Sequence, residues 1–230
     1  LLNTHAYQLD VVNAAEFNEI NELLENKQFL MAAQHLRAEL STDEYEDFLR
    51  KTFNPLKVVP AEVHRALFRL NPPLILTTNY DRLLEKAYVQ VCGEDIQPAT
   101  YLESDTVQRS FISRGNDTQP VIFNIHGSVT RPSTIILTES DYRKILYNQP
   151  GYRAVLSAIF ITHRVLMLGF SFEDRELIVS LETLRVAMGH KSSPHYIYLD
   201  KKEAGTVRQS RLREDYGLDV IPYNNDSGNH

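Results

Sequence analysis

Apolar positions over the first seventy residues recur at helical spacing. Val12, Ala15, Phe17, Ile20, Leu23 and Leu24 predict a helix over residues 11–25, and Leu30, Ala33, Leu36 and Leu40 predict a second over 29–40. Ser41 and Glu44 stand in capping-box spacing ahead of Tyr45, Phe48 and Leu49. Asn54-Pro55 breaks the pattern, and a further helix is expected over 61–70, ended by Asn71-Pro72-Pro73. From there the period changes. Short apolar runs at 74–76, 121–125, 165–168, 196–199 and 218–223 predict buried strands. Helices are expected between them, from Asp81 onward, over 152–162, over 175–188 with Gly189 behind it, and over 203–216 closed by Gly217. Residues 92–118 are polar and predict a surface excursion with one short strand around Thr100. Residues 134–137 predict a short strand before a helix start at Glu139-Ser140-Asp141. Strands alternating with helices give an α/β fold, a Rossmann-like parallel sheet with flanking helices and a helical insertion.

Three of these strands end in distinct polar signatures. The run 74–76 stops at Thr77-Thr78-Asn79-Tyr80-Asp81, the run 121–125 at His126-Gly127, and the run 165–168 at Gly169-Phe170-Ser171. Ligands of open α/β sheets sit outside the carboxyl ends of the strands, so these junctions are where chemistry is expected. The Asn79 carboxamide offers a donor and an acceptor, enough to grip a hydroxyl and a water together, or to cap the following helix. Histidine titrates near pH 6.5, which suits His126 to proton transfer, although a strand-end histidine can equally be structural. Asp81 can orient Asn79 or cap a helix. Gly169 permits close approach of a ligand because it lacks a Cβ, and Asp174 reads as the cap of the next helix. Asp200 ends the strand 196–199, a place where dinucleotide folds hold a ribose, and where a turn aspartate is equally at home.

A strand ending in Thr-x-Asn-x-Asp, a later one in His-Gly and a third in Gly-x-Ser together resemble the sirtuins. The likeness is greatest to the sirtuin-like branch of prokaryotic anti-phage defence proteins, over residues 60–225. The resemblance implies cleavage of the nicotinamide–ribose bond of NAD⁺, with Asn79 and His126 as the catalytic pair and Asp81 beside them, contacting the nicotinamide amide or orienting Asn79. It implies a dinucleotide pocket drawn from Thr77, Thr78, Gly127, Gly169, Ser171 and Asp200. Deacylating sirtuins carry Gln where Thr78 stands. The family also opens with a strand and a Gly-x-Gly-x-Ser turn that cradles phosphates on backbone amides. Residues 1–56 hold no glycine and the chain begins at Leu1, so that strand and loop are expected upstream.

Composition narrows the reading. One cysteine, Cys92, cannot build the four-cysteine zinc module of the protein-deacylating relatives. This moves the expectation from deacylase toward hydrolase, with NAD⁺ as substrate and no zinc. An NAD⁺-dependent protein deacylase and an NAD⁺- or ADP-ribose-binding regulatory module remain the alternatives. The net charge of −6 gives no broad basic face for nucleic acid, and no apolar stretch approaches the ~20 residues of a membrane span. A cytoplasmic protein is expected. The expected organisation is a helical segment 1–56, packing on the core or forming an assembly surface, an α/β domain 57–225 and a tail 226–230. The resemblance further implies a homo-oligomer and an activating partner protein, or a fused sensor or ATPase.

Overall fold

The computed structural model describes residues 1–55, 57–112, 119–170, 172, 174–187 and 195–225, and the side chains of 110–112, 175 and 176 are outside that description. The chain divides into two compact units, Leu1–Tyr152 and Arg153–His230. All strand pairs among the described residues are parallel, in two three-stranded sheets flanked by helices. The fold is α/β.

The first unit opens with α1 (Leu2–Gln8), α2 (Ala14–Glu25), α3 (Phe29–Glu39) and α4 (Thr42–Phe53). Two of these start where short polar side chains satisfy the free amides of the first turn. Asn13 accepts from Ala15 and Glu16, and Ser41 accepts from Glu44, with Glu16 and Glu44 each bonding back to the cap backbone. The helix expected from residue 11 therefore begins only at Ala14. The four helices close over one core that includes Ala6, Ile20, Leu36, Tyr45 and Leu49. Ile135 is buried in the same core, and Tyr80 and Leu137 pack against it. The helical layer thus grips the loops that follow the strands.

After α5 (Glu62–Arg69) come β1 (Leu74–Thr77), α6 (Leu83–Cys92), β2 (Ala99–Thr100), α7 (Ser104–Ile112), β3 (Val121–Asn124) and α8 (Glu139–Asn148). β3 is central, in the order β1-β3-β2. Its apolar residue Ile122 is fully buried with Phe68, Ala87, Tyr88 and Ile96, which fixes α5 and α6 on the sheet. Two expectations need correction. The polar excursion after Cys92 carries α7, whose Val107 is fully buried while Asp105, Thr106, Gln108 and Arg109 are exposed and give the stretch its polar character. Residues 134–137 do not form a strand. A 3-10 turn at Pro132–Thr134 leads into an irregular extended stretch whose side chains Ile135 and Ile136 are buried. Burial, not sheet pairing, explains the apolar run there.

The second unit holds most of α9 (Pro150–Thr162), then β4 (Leu166–Met167), α10 (Arg175–Ala187), β5 (His195–Asp200), α11 (Thr206–Tyr216) and β6 (Leu218–Tyr223). Its sheet order is β4-β5-β6. Gly217 closes α11 at φ 68°, a left-handed conformation that favours glycine.

Candidate functional site

Parallel pairing of β1 with β3 sets Leu74 against Val121 and, at the far end, Thr77 against Asn124. Asn79 and His126 each lie two residues beyond that last pair, at the carboxyl ends of adjacent strands. One more ladder bond carries the alignment forward, from the Ile125 N–H to the Thr77 carbonyl at 3.0 Å. Strands in a sheet run about 4.8 Å apart, so this register alone brings the two loops side by side.

Each loop is then shaped locally. The Thr77 hydroxyl accepts from the Asn79 N–H at 3.1 Å, folding the chain back at the strand end. The Asn79 side chain is exposed. Asp81 Oδ1 accepts from the Leu83 N–H at 2.8 Å and so serves the start of α6. That helix-start contact belongs to Asp81 and not to Asn79. Thr78, just before Asn79, is half-buried.

On the other strand, the Gly127 N–H donates to the Asn124 carbonyl at 3.1 Å, closing a turn with His126 inside it. Gly127 has φ 87°, and a Cβ there would collide with the carbonyl of Thr134. His126 is 4% exposed, and its ring meets Tyr142 of α8 edge to face at 5.5 Å. Its carbonyl accepts from the Ile136 N–H at 2.9 Å. The loop after β3 is further held by Arg131, whose guanidinium forks onto Glu103 at 2.6 and 2.8 Å and reaches the Thr100 hydroxyl at 3.2 Å. The Arg131 guanidinium holds the Glu103 carboxyl down at about 2.

The residues 73–221 match the SIR2-like domain family. The chain belongs to that family. Among curated relatives, this SIR2-like domain is 32% identical over 164 residues to the "NAD(+) hydrolase ThsA" of Bacillus cereus (strain MSX-D12), covering 70% of this chain and 32% of the relative. It is 31% identical over 140 residues to the protein of the same name from Cytobacillus dafuensis, covering 61% and 27%. With "Defense-associated sirtuin 2" of Bacillus subtilis it shares 22% identity over 188 residues, covering 76% and 17%. The chain spans about a third or less of the length of these relatives.

In the SIR2-like domain, Thr77, Thr78, Asn79, Asp81, His126 and Gly127 all stand at the carboxyl end of one sheet in the first unit. Gly169 and Asp200 belong to the second unit. Gly169 follows β4 at φ 62° with open space where a Cβ would go. Asp200 ends β5, and its Oδ1 accepts from the Lys202 N–H at 2.9 Å, a turn contact. Ser171 lies outside the described residues. Asp174 accepts from Leu177 N–H at 3.2 Å at the start of α10. Among the described residues no cluster of three or more His, Cys, Asp or Glu could hold a metal ion, and no helix is long and apolar enough to cross a membrane.

Two residues of this region carry more than their sequence suggested. Tyr80, in the sequence only one member of the string 77–81, binds through its hydroxyl and carbonyl to Ile136 and Val129, either side of the turn-and-loop that follows His126. Asn124 is 1% exposed. A lone amide inside the apolar run Val121-Ile122-Phe123-Asn124-Ile125 is the signal that could have singled it out.

Proposed function

We propose that this SIR2-like domain hydrolyses NAD⁺ at the nicotinamide–ribose bond. Water adds to the anomeric carbon of the ribose as the C–N bond breaks. The bonding pair goes to the pyridinium nitrogen, so nicotinamide leaves neutral, and the products are nicotinamide, ADP-ribose and a proton. The leaving group needs no acid. The protein's task is to hold the ribose and aim one water at a carbon that develops oxocarbenium character. Asn79 grips a ribose hydroxyl and the water, and His126 takes the water's proton. Asp81 positions the Asn79 loop through its hold on α6. Thr77, Thr78 and Gly127 line the ribose pocket, and Gly169, Ser171 and Asp200 serve the rest of the dinucleotide.

The observation that carries this reading is the Thr77–Asn124 register, with Asn79 and His126 equally far beyond it. The names of the relatives, NAD(+) hydrolase and defense-associated sirtuin, support the same chemistry and a role in defence. On this reading the domain works in the cytoplasm and depletes NAD⁺ in an abortive response to phage. Its activity stays latent until homo-oligomerisation or a partner, a sensor or ATPase, releases it.

The test is nicotinamide release by the intact protein beside Asn79→Ala and His126→Ala. Release that both variants lose, with NAD⁺ binding retained, supports the assignment. Binding without release under every activating condition would leave a ligand-sensing module instead.

A further inference from the structure

Asn124 ends β3 at the middle of its sheet, paired with Thr77 on one side and Thr100 on the other. Residues in register on neighbouring strands present their side chains to the same face, so the three form one polar row at the carboxyl edge. The outer two are engaged. Thr77 accepts from Asn79, and the Thr100 hydroxyl meets Glu103, Leu102 and Arg131. The central one is not. Both Oδ1 and Nδ2 of Asn124 lack a hydrogen-bond partner among the described residues, at 1% exposure. The backbone carbonyl of the same residue closes the His126 turn, so the orphaned carboxamide sits at the base of the loop that carries His126.

A buried amide with neither end bonded destabilises the ligand-free fold, and such groups call for a specific explanation. Its chemistry restricts what can satisfy it. One acceptor oxygen beside two donor hydrogens matches a group that both gives and accepts a hydrogen bond. A hydroxyl or a carboxamide does so. A phosphate or carboxylate offers acceptors only and would leave Oδ1 unmet.

We propose that Asn124 is a ligand-contact residue of this site, and that its carboxamide takes a hydroxyl or carboxamide of the bound dinucleotide. This rests on the NAD⁺ reading above. That ligand supplies both kinds of group, in its ribose hydroxyls and in its nicotinamide amide.

The experiment is Asn124→Leu in the intact protein, with Asn124→Ala as a second variant. Melting temperature is measured without ligand, and affinity for NAD⁺, ADP-ribose and nicotinamide by calorimetry. Leu is near in size and removes the orphaned polar atoms. Its melting temperature should equal or exceed that of wild type while NAD⁺ affinity falls at least tenfold. Opposite signs on stability and affinity are what a purely structural residue cannot give. Equal losses for NAD⁺ and ADP-ribose assign a ribose hydroxyl, and a loss confined to NAD⁺ and nicotinamide assigns the amide. Wild-type NAD⁺ affinity in both variants overturns the assignment while the NAD⁺ reading stands. So does a fall in melting temperature that both variants share with unchanged affinity. A wild-type protein that binds no NAD⁺ overturns both.

Discussion

The Tyr80 hydroxyl donates to the backbone carbonyl of Ile136 at 2.7 Å, and the N–H of that same Ile136 donates to the carbonyl of His126 at 2.9 Å. Tyr80 lies between Asn79 and Asp81, so one side chain ties the loop of β1 to the loop of β3. Its ring packs edge to face on Phe53 of α4 at 4.9 Å, within the core of the helical layer. The opening helices therefore bear on the candidate site through the Tyr80 ring, beside Ile135 and Leu137 of the loop after β3.

Tyr80→Phe keeps the ring and deletes the hydroxyl. The expected stability loss is about 1 kcal/mol, the ordinary worth of one partly buried hydrogen bond. If the tie positions His126, kcat for nicotinamide release falls several-fold while KM changes little. Urea denaturation and steady-state kinetics on the one variant separate the two effects. Unchanged kcat beside a lowered urea midpoint would reduce Tyr80 to a packing residue.

Glu103 and Arg131 make the protein's stability depend on acid. The guanidinium depresses the folded Glu103 pKa to about 2, below its unfolded value of about 4.3. The contribution is present above pH 4.3 and is lost as pH falls from there toward 2. The pair is partly exposed, with side chains 43% and 35% accessible, so solvent screening limits it to about 1 kcal/mol. Glu103→Gln should lower the urea midpoint at pH 6. The gap from wild type should narrow steadily in titrations toward pH 3, and a constant gap would contradict the ion pair as its source.

Glu85 carries the opposite sign. It is 4% exposed on α6 with Arg82 Nε 3.8 Å away, and burial raises its carboxyl pKa. A folded pKa above the unfolded one favours the fold below the unfolded value and costs stability as pH climbs through the folded one. Glu85→Gln should therefore raise the urea midpoint at pH 7, and the gain should vanish below about pH 4. A variant less stable than wild type at pH 7 would show that the carboxylate is satisfied as an anion.

Two glycines with left-handed backbones should respond differently to alanine. At Gly127 a Cβ meets the Thr134 carbonyl in addition to the φ penalty, while at Gly169 it meets open space. Gly169→Ala should cost about 1 kcal/mol, the conformational term alone. Gly127→Ala should cost well over about 2 kcal/mol and displace His126. Chemical denaturation of both variants checks the ranking, and equal losses would mean that the Thr134 loop yields.

Much of this protein was legible because its signals are local. The capping box at Ser41, the helix start at Glu139-Ser140-Asp141, the helical stripes of α2 to α4 and the abrupt polar ends of β1 and β3 all arise from residues within a few positions of each other. The polar exposed face of α7 and the irregular apolar stretch at Ile135 and Ile136 misled for the same reason, since local pattern cannot tell what a side chain is buried against.

The sequence by itself determined which residue types stand at which strand ends, and so named Asn79 and His126. Only the tertiary structure decided that β1 and β3 are neighbours in the register that sets Thr77 against Asn124. Parallel strands are joined by long crossovers, and their pairing leaves no trace in nearby residues. The same long-range closure leaves the Asn124 carboxamide unbonded and turns Tyr80 from an aromatic in a motif into the tie between two loops. Hydrogen-bond satisfaction is a property of the assembled surroundings, which no stretch of chain contains alone.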